Sequence, residues 1–163
     1  MIFGIGTFAH VHVVLSLVGI GSGLVVLFGL LAAKRFEGWN ELFLATTVAT
    51  SVTGFGFPFV RLLPSHKVGI LSLIVLAVAI FARYRRHLAG PWRRIYAIGA
   101  VVALYLNVFV LIVQLFRKIP SLLVSAPTQT EPPFVLTQLA VLALFVVLGI
   151  LAAVRFRAEP VTG

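Results

Sequence analysis

The chain has no cysteine and no aspartate, one methionine and four glutamates in 163 residues, and only 10% of it is charged. The missing cysteines exclude a disulfide-stapled secreted scaffold. The scarcity of charge, against about a quarter of the residues in an ordinary soluble domain, excludes a surface built for water and a disordered chain. The acids that exist, Glu37, Glu41, Glu131 and Glu159, all fall at or beyond the ends of apolar segments. No buried carboxylate is therefore expected to serve as a general base or proton relay, which removes the usual equipment of acid–base enzymes and proton-coupled pumps.

What is abundant is hydrophobicity, at 61% of residues, in uninterrupted runs. No charge occurs before Lys34, and none in 42–60, 68–82, 95–116 or 132–154. A membrane-spanning helix needs about 20 mostly apolar residues. The runs predict an all-α bundle of five transmembrane helices over about 8–33, 41–63, 65–83, 93–117 and 133–155, forming one domain over 1–163. A secretory signal would begin with a basic region and a shorter apolar core. The first helix is thus expected to remain in the mature protein.

The net charge of +9 reads as topology rather than as a nucleic-acid surface. With the N-terminus outside, nine Lys and Arg face inward: Lys34 and Arg35, the group Arg83, Arg85, Arg86, Arg93 and Arg94, and Arg155 with Arg157. Four face outward: Arg61, Lys67, Arg117 and Lys118. Trp39, Tyr84, Trp92 and Tyr96 also fall at the inner boundary, where amphipathic rings settle. The expected orientation is N-out, C-in. Between the last two spans, Ser125–Pro133 is polar and proline-rich and should be extended or turned, while Ile119–Val124 suits an interface.

Polar groups inside the spans need a partner or a purpose. His12, Ser16, Gly19 and Gly23 form one stripe of the first helix, its glycine pair suited to close helix packing or to a cofactor cleft. In the second, Thr46, Thr50 and Thr53 lie beside a parallel row of Thr47, Ser51 and Gly54, and the following Gly54–Phe59 stretch, with Pro58, predicts a kink or unwound end. Asn107 and Gln114 share a line on the fourth helix, and Gln138 opens the fifth. With Pro58 and His66, these outer-end groups are expected to converge on a polar pocket. Its ligand-binding residues would be His12, Ser16, Gly19, Asn107, Gln114 and Gln138.

Of the four histidines, His87 sits in the inner basic loop, and a two-residue step of about 200° separates His10 from His12. His12 and His66 alone combine a common depth with neighbouring glycines. They are the candidate metal ligands, as axial ligands of a b-type haem between the first and third helices or of a small metal ion. Ser16 lies one turn from His12, but no acid completes a catalytic set, so no catalytic residue is expected.

The stretches Thr46-Thr-Val-Ala-Thr-Ser-Val-Thr-Gly54, Leu104-Tyr-Leu-Asn-Val-Phe-Val110 and Ala126-Pro-Thr-Gln-Thr-Glu-Pro-Pro-Phe134 resemble those of small uncharacterised bacterial integral membrane proteins, a family with no assigned activity. The resemblance spans most of the chain and implies no site residue. In size and span number the chain is also similar to the translocator-protein class of porphyrin and sterol binders, although it has two Trp and lacks that class's tryptophan-proline pattern. The reading that follows is a non-enzymatic, multi-pass protein of the bacterial inner (plasma) membrane. It would be an accessory subunit or a binder of a lipophilic small molecule in an outer-leaflet polar pocket, or else a haem-binding redox protein. Its partners would be the lipid bilayer and other membrane subunits or a second copy, with no nucleic acid.

Overall fold

A computed structural model describes residues 2–34, 36–57 and 64–156, the side chains of 2–5, 64 and 65 apart. The chain runs through α1 (Ile2–Leu31), α2 (Glu37–Gly54), α3 (Pro64–Ile80) with a π-helical turn at Phe81–Arg85, α4 (Trp92–Lys118), the short α5 (Pro120–Ser125) and α6 (Pro132–Arg155). No strand occurs among the described residues. Four helical segments are long and apolar enough to cross a membrane: Gly6–Leu31, His66–Arg85, Trp92–Lys118 and Pro132–Arg155. The end at which α1 begins and α4 finishes is called the upper end below, and the opposite one the lower.

α2 departs most from the expected span. It begins at Glu37 and stops at Gly54, short of the expected end at residue 63, and Phe55 and Gly56 form a turn. The physical reason is local: Gly54 and Gly56 leave that turn without the side chains that favour a helix. Pro58 lies outside the described residues, and so do the side chain of Ser65 and the residue Arg61. α2 also carries Glu37, Asn40, Glu41 and a run of hydroxyls, so its apolar content is well below that of the other long helices.

The chain reversals follow backbone chemistry. α1 ends when Lys34 N–H donates to Gly29 O (2.7 Å) and Ala33 N–H to Leu30 O (3.2 Å), with Ala33 at φ 55°. That is the Schellman pattern, here without its usual glycine. At the lower end of α3, His87, Leu88 and Gly90 all adopt left-handed φ (50°, 57° and 53°), turning the chain sharply into α4. Pro132 and Pro133 occupy the first turn of α6, where a missing N–H leaves no bond unmade.

α4 is the hub. It packs against α1, α3 and α6 and touches α2 and α5, and its buried face includes Tyr96, Ala97, Ala100, Ala103, Leu104 and Asn107. Small residues set these distances. A Cβ at Gly99 would stand 3.3 Å from that of Ala79 on α3, and one at Gly23 would stand 2.7 Å from Leu104 Cδ1 and 2.9 Å from Phe43 Cε2. The glycine stripe of α1 is therefore a contact face toward α2 and α4. α6 is held on one side by α4 and exposes Leu136, Leu139, Val147 and Ile150 on the other, the surface an apolar solvent requires.

The lower end is closed by side chains of unlike kind. Arg83, buried to 7% exposure, pairs with Glu37 and faces the ring of Tyr96 with its guanidinium carbon 5.5 Å from the centroid. The Tyr96 hydroxyl donates to Asn40 Oδ1. Arg93 lies over Phe156 at 4.9 Å. These groups tie the start of α2 to α3 and α4, and none of the pairings was expressed in the spacing of the sequence.

Candidate functional site

The upper half of the bundle holds a polar cavity of about 80 Å³. Every helix of the α1–α4 group supplies part of its wall: His12 and Ser16 from α1, Thr47 and Ser51 from α2, His66 and Ser72 from α3, Asn107 from α4. Helical period explains the set. His12, Ser16 and Gly19 lie on one stripe of α1, Thr47, Thr50, Ser51 and Gly54 on one face of α2, and His66, Gly69 and Ser72 recur every three residues on α3.

The hydroxyl rows of α2 divide the work. Thr46, Thr50 and Thr53 donate back to the carbonyls of Leu42, Thr46 and Ala49 at 2.6–2.7 Å, so this row satisfies itself within the helix. In the neighbouring row, Ser51 donates across to Ser72 of α3 (3.1 Å), while Thr47, at 1% exposure, has no hydrogen-bond partner for its Oγ1. An unmet buried hydroxyl costs on the order of 1–3 kcal/mol, and a polar cavity of this size admits a few water molecules that would serve it.

Asn107, expected among the ligand-binding residues, bonds another helix. Ser16 donates from Oγ to Asn107 Oδ1 (2.9 Å), and Asn107 Nδ2 donates to the Ser16 carbonyl (3.4 Å). Gly19 makes room for this pair: a Cβ there would stand 3.1 Å from Asn107 Nδ2 and 3.3 Å from Thr47 Oγ1. Gly19 is thus a spacer between α1 and the Asn107 and Thr47 side chains, and it does not line the cavity.

His12 Nδ1 lies 2.7 Å from Thr53 Oγ1, whose own proton is directed at Ala49 O. With the Thr53 proton on Ala49 O, the His12 imidazole proton is on Nδ1 and the lone pair on Nε2. The His12 ring meets Phe57 edge-on at 5.2 Å between centroids, and the buried His66 ring lies 5.6 Å from that of Phe55. His10 is exposed on the other face of α1 and bonds the Gly6 carbonyl of its own helix (2.6 Å), so the separation of His10 from His12 is observed.

Above the cavity a groove of about 580 Å³ opens between α1 and α4, bordered as well by Gly54, Phe57 and His66; it shares Ser16, Gly54, His66 and Val110 with the cavity and continues it toward the upper surface. Gln114, Arg117 and Lys118 line its α4 side. Sequence reasoning missed this groove and Ser72 as well. The three-residue step from His66 through Gly69 was the signal for Ser72, whereas an opening between helices leaves none.

Two expectations are corrected. His12 and His66 line one cavity, but α1 and α3 share no substantial interface: both pack on α2 and α4, which stand between them. Gln138 lies outside the cavity. Its Nε2 donates to the Phe109 carbonyl (3.3 Å), and Phe109, about 200° around α4 from Asn107, faces α6 rather than α1. Gln138 Oε1 is buried without a hydrogen-bond partner. Of the five groups expected to converge, His12 and His66 do so, Gln114 lines the adjoining groove, Gln138 faces away, and Pro58 lies outside the described residues.

Among the described residues no cluster of three or more His, Cys, Asp or Glu is placed to hold a metal ion. The cavity shared by the two histidines is also smaller than the roughly 300–1,000 Å³ of typical small-molecule sites. The fold defines a helical bundle with four apolar helices of membrane-spanning length. No family model, curated protein or solved structure matches the chain, so the likeness to small bacterial membrane proteins rests on the three quoted stretches alone.

Proposed function

We propose that this is a non-enzymatic protein of the bacterial inner membrane that binds a lipophilic small molecule in its upper half, alone or as an accessory subunit of a membrane assembly. The observation that carries the reading is the groove of about 580 Å³ between α1 and α4, apolar along its walls and ending on Ser16 and His66. Largely apolar concave sites with a few convergent polar groups are the usual form of a small-molecule site.

In this reading the chain crosses the membrane five times, N-out and C-in, and the upper half lies in the outer leaflet. The 18-residue α2 is about 27 Å long, close to the roughly 30 Å hydrocarbon core, and packs its polar side chains against α1, α3 and α4. The nine-to-four distribution of basic residues supports the orientation. A reporter active only on the cytoplasmic side should work when fused after Gly163 and fail at residue 127. The reverse pattern refutes the topology.

Native mass spectrometry of protein released from a mild detergent tests the binding. A one-to-one lipophilic adduct in the wild type, lost when Leu111→Trp fills the groove, supports the reading, and a bare wild-type mass under all release conditions overturns it.

The second reading, a b-type haem with His12 and His66 as axial ligands, has one observation in its favour: both rings border a common cavity, and His12 keeps a free Nε2 lone pair. Wild-type protein with a Soret band that disappears in His12→Ala and His66→Ala would establish it. A colourless wild type purified from haem-replete cells would remove it.

A further inference from the structure

The groove between α1 and α4 carries a charge pattern that narrows its ligand, resting on the reading that it binds a lipophile at all. Two cations, Arg117 and Lys118, stand at its upper rim, and among the described residues no acidic one lines it. Both side chains are exposed, and neither takes part in an ion pair among the described residues. The nearest acid in sequence, Glu131, is turned to its own loop, where it accepts from the Thr128 hydroxyl (2.7 Å) and from the N–H groups of Thr128 and Thr130 (3.2 and 3.1 Å).

Basic residues at a helix end commonly extend to any lipid headgroup. These two stand above a recess, and that is the distinguishing observation. Directly beneath them the wall is apolar, formed by Val13 and Leu17 of α1 and Val110, Leu111 and Leu115 of α4. Gln114 adds a hydrogen-bonding amide just below the cations. The order down the groove is therefore charge, amide and hydrocarbon, with Ser16 and His66 at its floor, and the first three are the order of groups along a single-chain anionic amphiphile.

We propose that the groove binds one such molecule, its carboxylate or phosphate head held by Arg117, Lys118 and Gln114 and its chain lying between α1 and α4 toward Ser16. Arg117 provides a planar fork for two head oxygens, Lys118 a point charge, and the chain is withdrawn from bulk lipid on one side. Both head chemistries suit this pair of cations, so the test includes each, together with inorganic phosphate to show whether the head alone suffices.

The experiment titrates oleate, oleyl phosphate, oleyl alcohol and inorganic phosphate into the full chain in a neutral detergent and reads one-to-one adducts by native mass spectrometry. Melting temperatures and far-UV circular dichroism check that each variant is folded. The expected result is saturable binding of oleate or oleyl phosphate at least 10-fold tighter than of the alcohol, and no adduct with phosphate alone. Arg117→Gln with Lys118→Gln should reduce the anionic ligands to the level of the alcohol, and Leu111→Trp should remove all three chain-bearing ligands. If Leu111→Trp does not fold, Val13→Trp blocks the same groove from α1.

Equal binding of alcohol and anions, lost in Leu111→Trp, would overturn the anionic class and leave the lipophile reading standing. Absence of saturable binding by any chain-bearing ligand would overturn both. An anion preference that survives both tryptophan variants would assign the effect to exposed cations acting without the groove, and would likewise overturn the proposal.

Discussion

Below Gly23, the polar groups buried between helices meet partners across helix boundaries: Arg83 with Glu37, Tyr96 with Asn40, Arg93 with the Phe156 ring. Above it, the same α1–α4 group encloses a cavity, leaves the Thr47 hydroxyl without a protein partner and opens into a groove. The difference lies in side-chain size along the same stripes. Phe43, Leu104 and Tyr96 fill the lower interfaces, whereas Ser16, Gly19, Thr47, Gly69 and Ser72 occupy the corresponding upper ones. One half is a clamp, and the other keeps room for something that is not protein.

The contrast is broken most severely at Gly23. Leucine there would collide with Leu104 and Phe43 in a filled interface, and overpacking of this kind costs about 1–3 kcal/mol or more. A large fall in the thermal melting temperature in detergent is expected, and an unchanged one would show that the lower half is not tightly packed. Glu37→Ala should come next. It leaves the Arg83 guanidinium buried beside Tyr96 without a carboxylate, but Glu37 itself is 60% exposed, so the loss should be about 1–2 kcal/mol, below the roughly 3–5 of a fully buried pair. Chemical denaturation in mixed micelles measures it, and Glu37→Asp should recover part of the loss.

Thr47→Val sharpens the other side of the comparison. In a hydrated cavity the hydroxyl already has water, and its removal should change stability by less than about 1 kcal/mol. A gain beyond that would mean that the cavity is dry. The smallest effect is expected at Glu131. The Thr128 hydroxyl, followed by the N–H groups of Thr128 and Thr130, holds this carboxyl below the usual carboxylate range. Its contribution is thus complete above the ordinary glutamate pKa and lost as pH falls through the depressed folded value. Amide exchange at Thr128 and Thr130 should accelerate in acid over that interval, with no such step in Glu131→Gln.

The four apolar helices were legible because charge is expelled from a spanning segment over its whole length, a signal that survives without any knowledge of neighbours. The packing role of Gly19 and Gly23 was legible for a similar reason, since small residues at four-residue spacing permit close approach to any partner. Which partner was not. Periodicity fixes the face of a helix but not its place in the bundle, so His12 and His66 were assigned to adjoining helices that α2 and α4 keep apart, and Gln138 was assigned to a cavity on the far side of α4. Tyr96 with Asn40 and Arg83 with Glu37 were missed because each joins distant segments through one contact.

The composition of α2 has a consequence for how the protein is made. With Glu37, Asn40, Glu41 and its row of hydroxyls, this helix is not one of the four that are long and apolar enough to cross a membrane, and on the five-span reading it would have too little apolar surface to enter lipid unaided. It packs mainly against α1 and α3, with Phe43 and Thr47 facing Gly23 and Gly19 of α1. α1 emerges first and remains beside it, and the two are joined by only a few residues. On the five-span topology proposed above, the unit that partitions into the membrane would be the α1–α2 hairpin, with the shielding of α2 completed once α3 and then α4 have followed it.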